Sequence, residues 1–193
     1  MRTEMVKVFT LDELAKEVQE RVIDRYRNMD YWWDSSDSDM LTEDFEYMLE
    51  GTMFEGCEVE WSLRGCQGDG VMLLGEVDNT KLYEVLDESG KFNKHELRRI
   101  KFILDYSRFE LVRNNYYSSY FNNVRYTDYM PMGYSYTSEM EHHIESLIES
   151  IEYVIKNKAD SITSEMETIG YETIDYKYSD EYIRAQLEAH EFY

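Results

Sequence analysis

Between Cys57 and Val77 the hydrophobic pattern changes period, and that change limits the folds open to the chain. Cys57, Val59, Trp61 and Leu63 alternate with Glu58, Glu60 and Ser62, the spacing of a strand with one face buried and the other wet. Arg64-Gly65-Cys66-Gln67-Gly68-Asp69-Gly70 then supplies a glycine-rich reversal, and Val71 to Val77 returns as a more apolar strand. This predicts an antiparallel hairpin whose loop is longer than two residues.

Most of the rest reads at helical period. Thr10 with Glu13 forms a capping-box pattern, and Leu11, Leu14, Ala15, Val18, Val22 and Tyr26 recur at helical spacing, predicting a helix from 11 to about 27. Met5 to Phe9 before it reads as an edge strand. The serines and aspartates of 34–39 favour a turn, followed by a helix over about 42–50 with Thr42 as its cap. Residues 80–87 and 94 to about 100, the latter capped by Asn93, read as short helices. Lys101–Arg113 and Tyr116–Tyr129 alternate and are rich in aromatics, which predicts two further strands turning at Asn114-Asn115 or Ser118-Ser119. A long helix over about 138–158 carries Ile144, Leu147, Ile148, Ile151, Val154 and Ile155 on one face. Helical tendency continues more weakly over 163–177, where Gly170 interrupts it, and Ser179 caps a last helix over 180–190. The expected fold is α+β: a small antiparallel sheet of about four strands packed by an N-terminal helix, with a C-terminal helical region. The expected organisation is a core over 1–135 and a helical region over 136–193, forming one domain overall.

Charge narrows the function classes. The chain has 193 residues with 41 Asp and Glu against 20 Lys and Arg, a formal net charge of −21. Such a field repels nucleic acid and anionic membranes and attracts basic surfaces. With 15% aromatic residues, the composition is also unlike that of a disordered acidic tail. No leading apolar stretch reads as a signal peptide, and none approaches the ~20 residues of a membrane span. A cytoplasmic protein with reduced Cys57 and Cys66 is therefore expected.

Catalytic and metal patterns are weak. His142 and His143 are adjacent on a helix and point to different sides, while His95 and His190 stand alone. Cys57 and Cys66 flank the hairpin at a spacing unlike either half of a zinc knuckle. Gly65-x-x-Gly68-x-Gly70 has neither the spacing nor the following helix of a phosphate-binding loop. No cofactor and no metal are expected, and an enzyme is the last of the readings. Gln67 and Asp69, at the tip of the hairpin, are candidates for a recognition loop whose glycines permit positive φ.

Leu11-x-x-Leu14-Ala15-x-x-Val18-Gln19-x-x-Val22-Ile23-x-x-Tyr26-Arg27, the block Tyr31-Trp32-Trp33, the segment Trp61-Ser62-Leu63-x-x-Cys66-Gln67-Gly68-Asp69-Gly70 and the ending from Ser179-Asp180-Glu181 to Glu191-Phe192-Tyr193 resemble a family of small, largely uncharacterised phage and prophage proteins. The resemblance spans most of the chain and brings no assigned catalytic residue. It implies a phage context, in which small acidic proteins disable host defence, among them anti-CRISPR and anti-restriction proteins, some of them DNA mimics in their charge distribution. On that reading the partner is a basic host protein or ribonucleoprotein, such as a CRISPR effector nuclease or another nuclease, with no direct contact to nucleic acid or membrane.

The candidate partner-binding carboxylates form two groups. The first is Asp30, Asp34, Asp37, Asp39, Glu43, Asp44, Glu46 and Glu50, in a stretch from Asn28 to Leu63 that lacks Lys and Arg. The second is Glu141, Glu145, Glu149 and Glu152, about one helical turn apart. Two alternatives use other residues. One is a small-nucleotide-signal binder with a pocket at Gly68-Asp69-Gly70 made locally basic by Arg64, Arg108 and Arg113. The other is an antitoxin-like interaction protein that forms a homodimer through Ile144, Leu147, Ile151 and Val154.

Overall fold

The computed structural model describes residues 9–29, 33–65, 68–113, 120–129 and 138–189. The chain divides into two compact units, Leu41–Thr168 and Met1–Met40 with Ile169–Tyr193. Two helices run from one unit into the other: α2 (Ser35–Leu49) and α5 (Ser138–Lys177). The fold is α+β, and no described helix is long and apolar enough to cross a membrane.

The larger unit is built on a four-stranded antiparallel sheet in the order β1 (Glu58–Ser62), β2 (Gly70–Glu76), β3 (Ser107–Val112), β4 (Asn123–Asp128). The expected hairpin is β1–β2, registered from Glu58 opposite Leu74 to Ser62 opposite Gly70. Trp61 anchors this strand through an edge-to-face contact with Phe45, and its indole Nε1 donates to Thr42 Oγ1 at 2.9 Å. Helices α3 (Asn79–Glu88) and α4 (Lys94–Asp105) are inserted between β2 and β3. Asp78 caps α3 by accepting from Thr80 N and Lys81 N, and Asn93 and Glu96 form a reciprocal capping box on α4.

Strand β2 reads as a continuous apolar run because it is central. Val71, Met72 and Leu73 are all buried, so both of its faces are covered. Its ladder with β3 is short, with Gly75 opposite Leu111 and Glu76 opposite Glu110. Further back, side chains replace the missing strand: Leu73 N donates to Asn122 Oδ1 at 3.0 Å and Val71 N to Glu167 Oε1 at 3.2 Å. Asn122 is 2% exposed. Its amide donates to Thr163 Oγ1 and Asp160 Oδ1, while Lys156 Nζ donates to both Asn122 O and Asp160 Oδ2. Gly70 allows the close approach here, since a Cβ on it would lie 2.9 Å from Tyr120 Cβ.

In the smaller unit, α1 (Lys16–Arg27) packs on α6 (Asp180–Ala189), with Leu11, Ile23, Ile183 and Leu187 as a buried cluster. Arg27 ties the pair together by donating to Tyr178 O and pairing with Asp24 and Asp180. Ser179 accepts from Tyr182 N at the start of α6, as expected of its cap.

Several local expectations are corrected. The helix expected from 11 to 27 is a 3-10 turn, Leu11–Glu13, then extended Leu14 and Ala15, then α1. An unbroken helix would carry Leu11 about 18 Å along its axis from Ile23; the break brings both into one cluster, and Gln19 Nε2 donates to the freed Leu14 carbonyl. Helix α2 starts at Ser35, so 35–39 is helical and Thr42 lies mid-helix, because Asp34 and Asp37 accept from each other's backbone amides. Residues 101–105 are helical, because Ile100, Ile103 and Leu104 continue the buried helical stripe. Helix α5 runs unbroken through Gly170. Met5–Val8, both expected turn pairs and residues 116–119 lie outside the described residues, and Phe9 is exposed and belongs to no strand.

Replacing Asn122 by Ala strands the Leu73 amide and removes the amide donor to Asp160 and Thr163. Urea denaturation should show a loss of about 1–3 kcal/mol, the cost of an unpaired buried polar group. Glu167→Gln, which keeps an acceptor for Val71 N, should stay within about 0.5 kcal/mol of the parent.

Candidate functional site

Helix α2 amphipathicity decides which of its carboxylates are available. Leu41, Phe45 and Leu49 take the buried face at i, i+4, i+8, which turns Glu43, Asp44, Glu46 and Glu50 to solvent. None of these four has an ion-pair partner among the described residues. Glu43, Glu46 and Glu50 follow one another at three- and four-residue steps, so neighbouring side chains leave the helix about 6 Å apart at Cβ. Between them stands Tyr47, 72% exposed. An aromatic ring on the wet face contributes nothing to the core that holds α2.

The start of α2 behaves differently. Asp34 and Asp37 cap the helix for each other, at 3.1 Å and 3.0 Å. Asp37 also pairs with Lys177, whose ammonium lies 5.3 Å from the centre of the Trp33 ring. Burial pushes the Asp37 carboxyl up, but the Lys177 hydrogen bond and the Asp34 amide outweigh it and hold the group below its ordinary value. Asp34 and Asp37 are thus committed to the fold. Asp39 is exposed, and Asp30 lies outside the described residues.

On α5, Leu147, Ile151 and Ile155 are buried and Glu141, Glu145 and Glu149 are exposed. His142 Nδ1 lies 3.3 Å from Glu145 Oε2. Glu152 is half-buried; burial raises its carboxyl, and the charge of Glu149 adds to the rise. Tyr153, one turn beyond Glu149, is 64% exposed, repeating the tyrosine-beside-carboxylate arrangement of α2. Sequence reasoning singled out the acids and missed both tyrosines, although each is legible as an aromatic on the polar side of an amphipathic helix.

The other candidate residues hold the fold. Asp69 closes the β1–β2 loop by accepting from Arg64 N at 2.6 Å and Ser62 Oγ at 3.3 Å; Gln67 lies outside the described residues. Arg108 pairs with Glu76 and stacks near Tyr129, and Arg113 pairs with Glu60. Arg108 thus sits against a carboxylate of the neighbouring strand and Arg113 against one of β1, so each of these cations has an acidic partner within the sheet. Half of the proposed dimer stripe is interior, with Leu147 4% and Ile151 0% exposed within the chain itself, so these two residues cannot also face a second copy; Ile144 and Val154 are half-buried. Among the described residues no group of three His, Cys, Asp or Glu is placed to hold a metal ion. Burial pushes the Cys57 thiol up to about 11, which keeps it protonated and weakly nucleophilic at neutral pH.

The Asp37 pairing has a definite pH signature. Its folded pKa is depressed, so its contribution is present above the ordinary aspartate range and is lost as pH falls through the folded value. Asp37→Asn should cost about 1–2 kcal/mol, nearly constant between about pH 5 and 7, declining from about pH 4 downward and gone only below the depressed folded value, as read by urea denaturation across pH.

The chain matches no protein-family model, no curated protein and no solved structure.

Proposed function

We propose that this protein is a binding protein for a basic partner, and that it acts by laying exposed carboxylate-and-tyrosine helix faces over a cationic groove. In the phage setting implied by the sequence resemblance, the partner is a host nucleic-acid-targeting effector, a CRISPR nuclease complex or another nuclease. Inhibition follows from competition, since the groove that receives phosphates is filled by carboxylates.

The observation that carries the reading is the α2 face. Glu43, Asp44, Glu46 and Glu50 are exposed and lack ion-pair partners among the described residues, with Tyr47 72% exposed among them. Solubility alone accounts for carboxylates but not for an exposed ring in their midst. Tyrosine is enriched among residues that dominate binding energy, while surrounding charge steers the encounter. The net charge of −21 adds long-range attraction to any basic surface.

A pull-down from host lysate at low and high salt, with parent and variants as bait, tests this. Capture of a basic nuclease or guide-RNA complex should be lost at high salt. Tyr47→Ala should weaken the complex by about 2 kcal/mol, or ~30-fold, while its own stability stays within about 0.5 kcal/mol of the parent. Glu43→Gln with Glu46→Gln and Glu50→Gln should slow association and flatten the salt dependence. Identical captures by parent and both variants, or retention indifferent to salt, would defeat the proposal.

A further inference from the structure

An open cleft of about 350 Å³ lies in the larger unit between the 51–54 turn, α3 and α5. Its size is at the small end of ligand pockets, suited to one side chain more than to a cofactor. The turn exists because Gly51 takes a positive φ of 74° and Thr52 Oγ1 bonds across it to Leu49 O and Phe54 N. Met53 and Phe54, almost wholly buried, form an apolar floor; Val85 and Ile162, half-buried, form the walls.

The rim is anionic. Glu84 and Glu88 stand one turn apart on α3, and Glu165 comes from α5; all three are exposed. Among the described residues none of the three forms a hydrogen bond or ion pair, and like charges at i, i+4 on one helix are unfavourable unless a cation lies between them. Of the two lysines lining the cleft, Lys81 is paired with Glu55, which also accepts from Gly51 N, and feels the charge of Glu84 as well; with Lys158 the two cations face Glu55, Glu84, Glu88 and Glu165, so the rim keeps a net negative charge.

We infer that this cleft receives an arginine side chain of the basic partner, a deepening of the function proposed above that rests on that reading. The aliphatic stem lies on the floor of Met53 and Phe54. The guanidinium is weakly hydrated and presents five donors in a plane, which three carboxylates from two helices can accept from different sides. A small anion would be repelled by the net negative rim, and a neutral ligand would gain nothing from its charge.

The test is a titration of the ¹⁵N-labelled full chain with N-acetyl-arginine amide, followed by amide chemical shifts, with N-acetyl-citrulline amide as the neutral isostere. Saturating shifts at Glu84, Val85, Glu88, Ile162 and Glu165 with the arginine probe, and none with the citrulline probe, are expected. Glu165→Gln, an exposed change that leaves the fold intact, should weaken the arginine probe about two- to fivefold. Equal shifts with both probes, or shifts at Glu43–Glu50 without any at the cleft, overturn the inference; the second of these leaves the acidic-surface reading standing. Cleft shifts in a protein that captures no basic partner support the cleft and count against that reading alone.

Discussion

The bond from the Leu73 amide to Asn122 Oδ1 is the contact on which the larger unit depends. A central strand must satisfy donors on both sides, and β3 reaches only the last part of β2. Asn122 and Glu167 take over where β3 stops, and Asn122 passes the connection on to Asp160 and Thr163 of α5. The sheet and the Asp160–Glu167 stretch of α5 are thereby joined by polar bonds as well as by the apolar face of Ile151, Ile155, Ala159 and Met166. Because the network is buried and its amide fully used, it sets a register that hydrophobic packing alone would leave free to slide.

In a chain with twice as many acids as bases, the placement of the cations determines where negative charge accumulates. Arg27, Lys81, Arg108, Arg113, Lys156 and Lys177 each sit against a carboxylate at a structural joint. Those joints are a helix pair, a turn, strands of the sheet, a buried asparagine and a helix start. The outer faces of α2 and α5 are among the places where no joint requires a base and exposed carboxylates stand without one, and the exposed tyrosines give each of these faces an apolar anchor.

Much of the local structure was legible in the sequence. The β1–β2 hairpin followed from alternation and the glycine-rich loop, and the caps at Thr10, Asn93 and Ser179 follow from side chains that bond to the next amides. The errors share one cause. Asp34-Ser35-Ser36-Asp37-Ser38-Asp39 is equally good at turning and at starting a helix, and only the buried partners of Leu41 and Phe45 select the helix. Leu11–Tyr26 carries a faultless helical period, yet the need to bring Leu11 beside Ile183 breaks it. Of the acidic candidates, Asp34, Asp37 and Asp69 proved to be caps and loop closures, a role that depends on amides within reach and not on residue type.

The sequence by itself determined the fold class, the hairpin, most helix spans and the sign of the surface, because period, capping and net charge are local or additive properties. Tertiary structure alone decided the strand order, the replacement of a missing strand by Asn122 and Glu167, and which carboxylates stay free. These depend on distances between residues far apart in the chain, and a hydrogen bond or ion pair exists only where folding brings its two partners within about 3 Å.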